Sequence, residues 1–365
     1  MQKVQEIIEA IEQIAPRCYQ ESYDNSGLLV GERDQFIYKA LLTLDCTEAV
    51  VDEAIDQKCQ LIIAHHPILF SGIKSLTGKN YIERVLIKAI KNDIALYACH
   101  TNLDNMLQGV NMKIAEKLGL HECKILKPIE QTLYQLYVYV PIDYAEKVKE
   151  ALFQAGAGLQ GHYAECSFSS IGEGSYKPLE NASPFLGTLN ERHAECEVKL
   201  EVLVKQHALI NVQKAMIAAH PYEEIAFGIL ELQNKDKTIG AGLIGSLKDT
   251  TSEKEFFERL KTTFNSSSIR HTKWLNKPIK KVALCGGSGS FLLQDALQQY
   301  ADIFITSDYK YHQFFDAEDR LIIADIGHFE SEQFTPKIFY DILSKKFPKF
   351  ALHLSSVNTN PVYYY

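Results

Sequence analysis

The sequence predicts an α/β protein: an outer α/β domain with strand–helix repeats in two separated halves, interrupted by an α+β insertion of ferredoxin-like type. Three observations predict this. Short, uniformly apolar runs alternate with helical stretches in the first and last thirds, as buried strands of a parallel sheet covered on both faces do. Polar clusters follow those runs directly, where open α/β sheets collect their ligands. The middle third instead carries strands of alternating polarity, and its strand and helix order is that of an antiparallel α+β sandwich. The boundaries fall at 1–126 and 239–365 for the outer domain and 127–238 for the insertion. An insertion of this size is tolerated where the host loop has neighbouring ends.

The chain opens on MQKVQEIIEAIEQIAP, an amphipathic helix with glutamates among its apolar residues and no signal-peptide core. Residues 39–45 (KALLTLD) form a short strand ending in Asp45, and Thr47 caps the helix that follows. The run 61–64 (LIIA) leads straight into His65-His66-Pro67. After a loop containing Gly72 and Gly78, residues 81–91 are helical, and 94–99 (IALYAC) is a third strand, ending in His100-Thr101-Asn102-Leu103-Asp104. In the middle, 134–140 (YQLYVYV) is a half-buried strand stopped by Pro141, and 144–155 is a helix with glycines at its exit. Strands at 166–169, 196–204 and 225–232 and a helix at 208–220 complete that module. The last third resumes the first rhythm. The run 281–285 (KVALC) enters Gly286-Gly287-Ser288-Gly289, and a helix follows at 290–299. Strand 302–306 (DIFIT) ends near Asp308, and strand 321–325 (LIIAD) ends at Gly327-His328.

Composition narrows the function classes. The 365 residues are 46% hydrophobic and 23% charged, an ordinary globular mixture with chain enough for more than one core. A formal charge of −8 without a basic run disfavours a nucleic-acid surface. No stretch is long and apolar enough for a membrane span. The 8 cysteines include no CxxC pair, so they read as reduced, structural thiols, and the expected location is cytoplasmic.

The clusters beyond the strands carry metal chemistry. Successive strand side chains leave opposite faces, so His65 and His66 suit two ions on either side of a strand end better than one ion between them. The plainer reading of each is a packed core or surface histidine. Asp104 is either a ligand or a helix N-cap, and His100 either a ligand or a group that orients one. His328 and Glu332 stand at i and i+4, so a helix starting after Gly327 would put both on one face; the alternative is a solvated first turn rich in Glu330 and Glu332. Together, His65, His66, His328, Asp104 and Glu332 offer three imidazoles and two carboxylates, one of them able to bridge. That donor set suits two divalent ions roughly 3.5–4 Å apart, as in two-metal hydrolytic sites. Nitrogen and oxygen donors favour zinc first, with iron or manganese as alternatives, over calcium.

Weaker features complete the inventory. Gly286-Gly287-Ser288-Gly289 is either a phosphate-facing loop or a tight turn, and it matches neither the dinucleotide nor the P-loop fingerprint. Asp308 and His312 suit a substrate-facing position, Asp45 can support a ligand from behind, and Asp24-Asn25-Ser26-Gly27 reads as a turn at the pocket edge.

The motifs YDNSGLLVGE (23–32), AHHPILF (64–70), HTNLD (100–104), CGGSGSFL (285–292), ITSDYKYH (305–312) and GHFESE (327–332) resemble, in order, those of the Nif-three-like family, the GTP cyclohydrolase I type 2 homologues. The resemblance implies that His65, His66, Asp104, His328 and Glu332 are the ligands of a dinuclear centre, with Glu332 bridging. His100 falls inside a matching motif but outside that ligand set. The middle segment, through HPYEEIAFGILEL (220–232), is similar to the PII and CutA-like module inserted in longer members. The resemblance further implies a homohexamer, a trimer of dimers with its metal sites facing an internal cavity. Tyr23, Ser26 and Ser307 depart from the family pattern without touching a ligand.

Two functions follow as expectations. One is a metal-dependent hydrolase, cyclohydrolase-like or phosphoesterase-like, acting on a small nucleotide- or pterin-like molecule, with His312 or His100 moving protons. The other is a non-catalytic, metal-dependent regulator or metal carrier assembled as a ring.

Overall fold

Strands that bury both faces need helices on both sides, and the packing follows from that requirement. The computed structural model describes residues Met1–Tyr365. They divide into two units, Met1–Pro128 with Lys237–Tyr365, and Ile129–Asp236.

The first unit is a mixed α/β structure built on two larger sheets. One has five strands in the order Ala351–Leu354, Lys39–Thr43, Leu61–Ala64, Ala95–Ala98 and Gly27–Val30, parallel except for the last pair. Alternate residues sort to opposite faces. Leu41, Ile62 and Leu96 pack on Val50, Val51, Val85 and Leu86 of helices Glu48–Asp56 and Tyr81–Lys91. Leu42, Ile63 and Tyr97 face the larger core. The second sheet has six strands, in the order Arg270–His271, Ile322–Asp325, Ile303–Ser307, Ile279–Ser288, Gly240–Thr251 and His121–Pro128. Val282, Leu284 and Ile305 from this sheet enter the same large core, which also holds Ile7, Ile114, Phe256 and Phe339 from four helices. On its other face, Ala283, Phe304 and Ile323 pack against Leu293 and Leu297.

Several sequence readings coincide with these elements. The helix expected at 81–91 is Tyr81–Lys91, and the Thr47 side chain accepts from Val50 N as an N-cap. Two readings change. The expected parallel arrangement holds for all but Gly27–Val30 of the first sheet, but in the second only for Ile322–Asp325, Ile303–Ser307 and Ile279–Ser288, because Gly240–Thr251, His121–Pro128 and Arg270–His271 add antiparallel. His121–Pro128 is half exposed, and such an edge strand needs no covering crossover. The strand read as 281–285 runs on to Ser288, through the glycines, and the helix after it shortens to Leu293–Gln298 behind a single 3₁₀ turn.

The second unit is a four-stranded antiparallel sheet in the order Phe227–Glu231, Leu133–Pro141, His193–Lys205 and Ser167–Tyr176. Helices Ala145–Gln154 and Leu209–Ala219 cover one face, where Leu136, Val138, Leu200 and Val202 meet Val148, Leu152, Val212 and Met216. Tyr137, Tyr139 and Lys199 lie at the alternate, outward positions of those strands.

Candidate metal centre

Every side chain of the candidate centre stands just past the carboxyl end of a parallel strand in one of the two sheets of the first unit. His65 and His66 follow Leu61–Ala64. His100 follows Ala95–Ala98 and caps the one-turn helix Thr101–Asp104, which ends on Asp104. Asp104 therefore closes that turn and is not its N-cap. From the other sheet, Ile322–Asp325 leads through Gly327, at φ 98°, into the helix His328–Glu332. A positive φ of that size suits glycine. The solvated-turn alternative for this helix does not hold: Glu330 and Glu332 are both buried, and Glu330 accepts from Asn360.

The histidine and acid groups converge. Glu332 Oε2 lies 2.9 Å from His66 Nε2 and 3.0 Å from His328 Nε2, while its Oε1 lies 3.9 Å from His65 Nε2. His65 Nε2 is 3.5 Å from Asp104 Oδ1. Three overlapping groups result, His65 with Asp104 and Glu332, His66 with His328 and Glu332, and His65 with His66 and His100, each with its donor atoms within 4.8 Å of one another. The five residues read from the sequence are thus brought together, and His100 joins them. His312 is not: it is exposed on the turn Tyr311–Ala317, against Tyr311 and Phe315.

A second layer fixes each ring. His65 Nδ1 donates to Cys99 O at 2.9 Å, and the Nδ1 atoms of His66, His100 and His328 bond Asp45, Asp24 and Asp308 at 2.7, 2.9 and 2.6 Å. Carbonyls and carboxylates only accept, so Nδ1 carries the proton in all four rings, and Nε2 of the three expected histidine ligands is turned toward the acid groups. Asp45 is anchored in turn by the Thr359 hydroxyl at 2.5 Å. Asp24 accepts from the Thr101 hydroxyl and backbone N–H as well. The sequence pointed to Asp45 as such a support. Asp308 carries the same signal, an acid one step beyond a strand end, but Asp24 carries none, because a turn in sequence does not reveal which ring lies above it.

The donor chemistry fits a cation. His65 Nε2 and Asp104 Oδ1 are buried, face each other and have no hydrogen-bond partner. Burial pushes His65 down to about 4, which leaves a neutral ring with its lone pair opposite an acid oxygen. His66 Nε2 and His328 Nε2 lie 3.3 Å apart, both aimed at Glu332. Burial opposes their charge, yet Asp45 and Glu332 raise His66 to about 9, and Glu332 and Asp308 raise His328 to about 11. Burial disfavours the charged form of Glu332 too, but the facing imidazoles hold its carboxyl well below the usual range. Protons on His66 and His328 supply the positive charge that Glu332 draws toward it, the place a bound cation would take.

Backbone geometry preserves the space. Gly287 has φ 61°, and a Cβ there would overlap Glu332 Oε1. The Gly287 N–H donates to Ser331 Oγ at 3.0 Å, so the Gly286-Gly287 stretch braces the ligand helix. The centre opens into a cavity of about 1170 Å³ lined by His66, His100, His328 and Asp308 together with Phe70, Lys74, Tyr81 and Arg270.

Comparison with known proteins follows the same residues. The sequence pattern of Duf34/NIF3 (NGG1p interacting factor 3) matches residues 2–361. A Staphylococcus epidermidis protein named GTP cyclohydrolase 1 type 2 homolog is 36% identical over 367 aligned residues, covering 99% of this chain and 100% of that one. A Bacillus subtilis protein of the same name is 38% identical over 363 aligned residues, covering 98% of this chain and 97% of its own. Among solved structures, a Bacillus cereus protein related to NIF3 superposes with a TM-score of 0.86 at 35% identity, covering 100% of this chain and 99% of that one.

Proposed function

Since the chain belongs to the Duf34/NIF3 family along nearly its whole length, we propose that it is a dinuclear divalent-metal protein acting as a hydrolase on a small nucleotide- or pterin-like molecule. One observation carries the reading: Glu332 divides its two carboxylate oxygens between His65 with Asp104 on one side and His66 with His328 on the other. Those five residues would hold the two ions, zinc first, with iron or manganese as alternatives. When bound, such ions supply Lewis acidity and lower the pKa of coordinated water.

The chain's own residues supply the rest. Asp45 and Asp308 hold His66 and His328 in one tautomer and one orientation. His100, fixed through Nδ1 by Asp24 and lining the cavity, is assigned the proton transfer. His312, exposed on the turn Tyr311–Ala317 and outside the cavity lining, stays a second candidate for that transfer. Phe70 and Tyr81 offer flat apolar surface, Lys74 positive charge, and Arg270 a guanidinium already paired with Asp325, a combination that suits a planar molecule with an anionic group. The Ile129–Asp236 unit, with its β-α-β-β-α-β order, is assigned as a ferredoxin-like insertion, and the assembly as a hexamer, to be checked by light scattering.

The experiment is metal analysis of the purified protein, followed by a screen of nucleotides, pterins and phosphoesters. Turnover that disappears in Glu332→Gln and His66→Ala, with the fold retained, supports the hydrolase. Two bound equivalents that exchange freely, with no turnover on any substrate, would replace it with the metal carrier or regulator.

A further inference from the structure

The outward face of the sheet in the Ile129–Asp236 unit carries a separate cavity of about 730 Å³. Its walls are aromatic: Tyr139, Tyr176, Phe185 and Tyr222, with the Tyr222 ring 5.8 Å from Tyr176 and 6.2 Å from Phe185. Glu197 lines it as well, only 8% exposed. Its carboxylate lies over Gly174 of the neighbouring strand, where a Cβ would overlap it, so the glycine makes room for the acid.

This carboxylate lacks a matching charge. Lys199, the next outward residue on the same strand, donates to Glu201 at 2.9 Å and lies over the Tyr137 ring instead. The Tyr222 hydroxyl is buried beside Glu197 and Tyr176 without a well-formed hydrogen bond to either. Burial pushes the Glu197 carboxyl up, offset only in part by the neighbouring Tyr222 hydroxyl, and no cationic side chain contributes. At the rim, Glu173, Glu223 and Glu224 outnumber the exposed Lys177.

A cage of π faces around a desolvated carboxylate selects a soft organic cation over an anion, and a bulky alkylammonium over a hydrated metal ion. We propose that this cavity is a binding site for a small alkylammonium compound, with Glu197 as its counter-charge and Tyr139, Tyr176, Phe185 and Tyr222 as its walls. No residue is shared between this cavity and the one at the metal centre.

The test uses the full-length protein, with choline chloride and its neutral isostere 3,3-dimethylbutan-1-ol as probes in titration calorimetry and saturation-transfer NMR. Choline binds, and the isostere binds at least about tenfold more weakly. Glu197→Gln lowers choline affinity by a similar factor without changing the thermal midpoint or the response to divalent metal. No choline binding at millimolar concentration, equal affinity for both probes, or unchanged affinity in Glu197→Gln would each overturn the proposal. Should Glu197→Gln fail to fold, the comparison of the two probes on the unmodified protein decides alone.

Discussion

Replacing Glu332 by glutamine keeps the side chain's volume and removes the charge that two groups of donors share. The consequence can be sized from metal-linked stability. A ligand that binds only the folded state stabilises it by about 2.7 kcal/mol when its free concentration is 100 times Kd. The unit holding the centre has about 260 residues, and at roughly 2.1 cal/mol/K each its unfolding entropy is near 0.5 kcal/mol/K. Each bound ion therefore raises the midpoint by about 5 °C. Loss of the shared carboxylate weakens both positions by about 100-fold, leaving about 0.4 kcal/mol and a shift below about 1 °C at the same concentration. Asp45→Asn disturbs only the support behind His66. A tenfold loss there leaves about 1.4 kcal/mol at that one position, so the two ions together still give about three quarters of the full shift. Scanning calorimetry with and without manganese measures this series. Manganese is the better probe because the 8 free thiols of the unfolded chain would take up zinc and mask the effect. A Glu332→Gln protein that shifts as far as the unmodified one, or an Asp45→Asn protein that shifts less than Glu332→Gln, would refute the assignment of Glu332 as the shared ligand.

Three further changes probe the supports. Asp24→Ala strips the His100 ring and the Thr101 N–H of their acceptor, and denaturant titration should register a loss of about 1–3 kcal/mol. Gly287→Ala and Gly78→Ala both impose a left-handed backbone on alanine, at φ 61° and 79°, costing about 1–2 kcal/mol each. Only Gly287→Ala also displaces the Glu332 carboxylate, so it alone should reduce the manganese shift; equal responses would remove the glycine from the centre. Glu83 is held down at about 2, first by the Thr77 backbone N–H, against burial, then by the Thr77 hydroxyl and Lys79. Its folded value lies below the ordinary 4.5, so its contribution is complete above that pH and fades as pH falls toward about 2. The stability gap between the unmodified protein and Glu83→Gln should therefore narrow between those limits in acid denaturation, and a gap that widens would exclude the carboxylate as the anchor of this loop.

How far the sequence carried depended on whether the information was local. Apolar runs at 61–64, 94–99 and 321–325 named their strands because burial on both faces leaves no other pattern. The ligands were legible for a related reason: residues directly beyond such strands reach the sheet's carboxyl edge, so His65, His66 and His328 had to lie there. The sequence expected two adjacent histidines to part to opposite faces, yet their rings stand 4.9 Å apart. Strand alternation has ended by His65, whose backbone N–H bonds Thr43 and Leu44 past the last ladder position. Pairings between distant segments were less visible. That Asp24 holds His100, across 76 positions, depends on Gly27–Val30 joining the sheet antiparallel beside Ala95–Ala98. Ser26 strengthens the same junction, accepting from the His100 N–H and donating to Asp24. His312 stands apart from the others: the backbone between it and Asp308 is no α-helix, Asp308 sits at φ 57°, and the His312 ring is exposed against Tyr311 and Phe315.

The chain leaves and re-enters the first unit on neighbouring strands of one sheet. The six-stranded sheet ends on His121–Pro128, the strand before the module, and its neighbour Gly240–Thr251 is the strand after it. Gly240 pairs with Pro128, so departure and return occupy adjacent positions on one edge. The ligand helix His328–Glu332 follows Ile322–Asp325, which lies four places away in the same sheet. Between them stand Ile303–Ser307 and Ile279–Ser288, the parallel strands whose ends supply Asp308 and the Gly287 brace. The register of these strands is fixed by apolar residues buried on both faces, which keeps the ends that carry Asp308 and Gly287 aligned with the ligand helix.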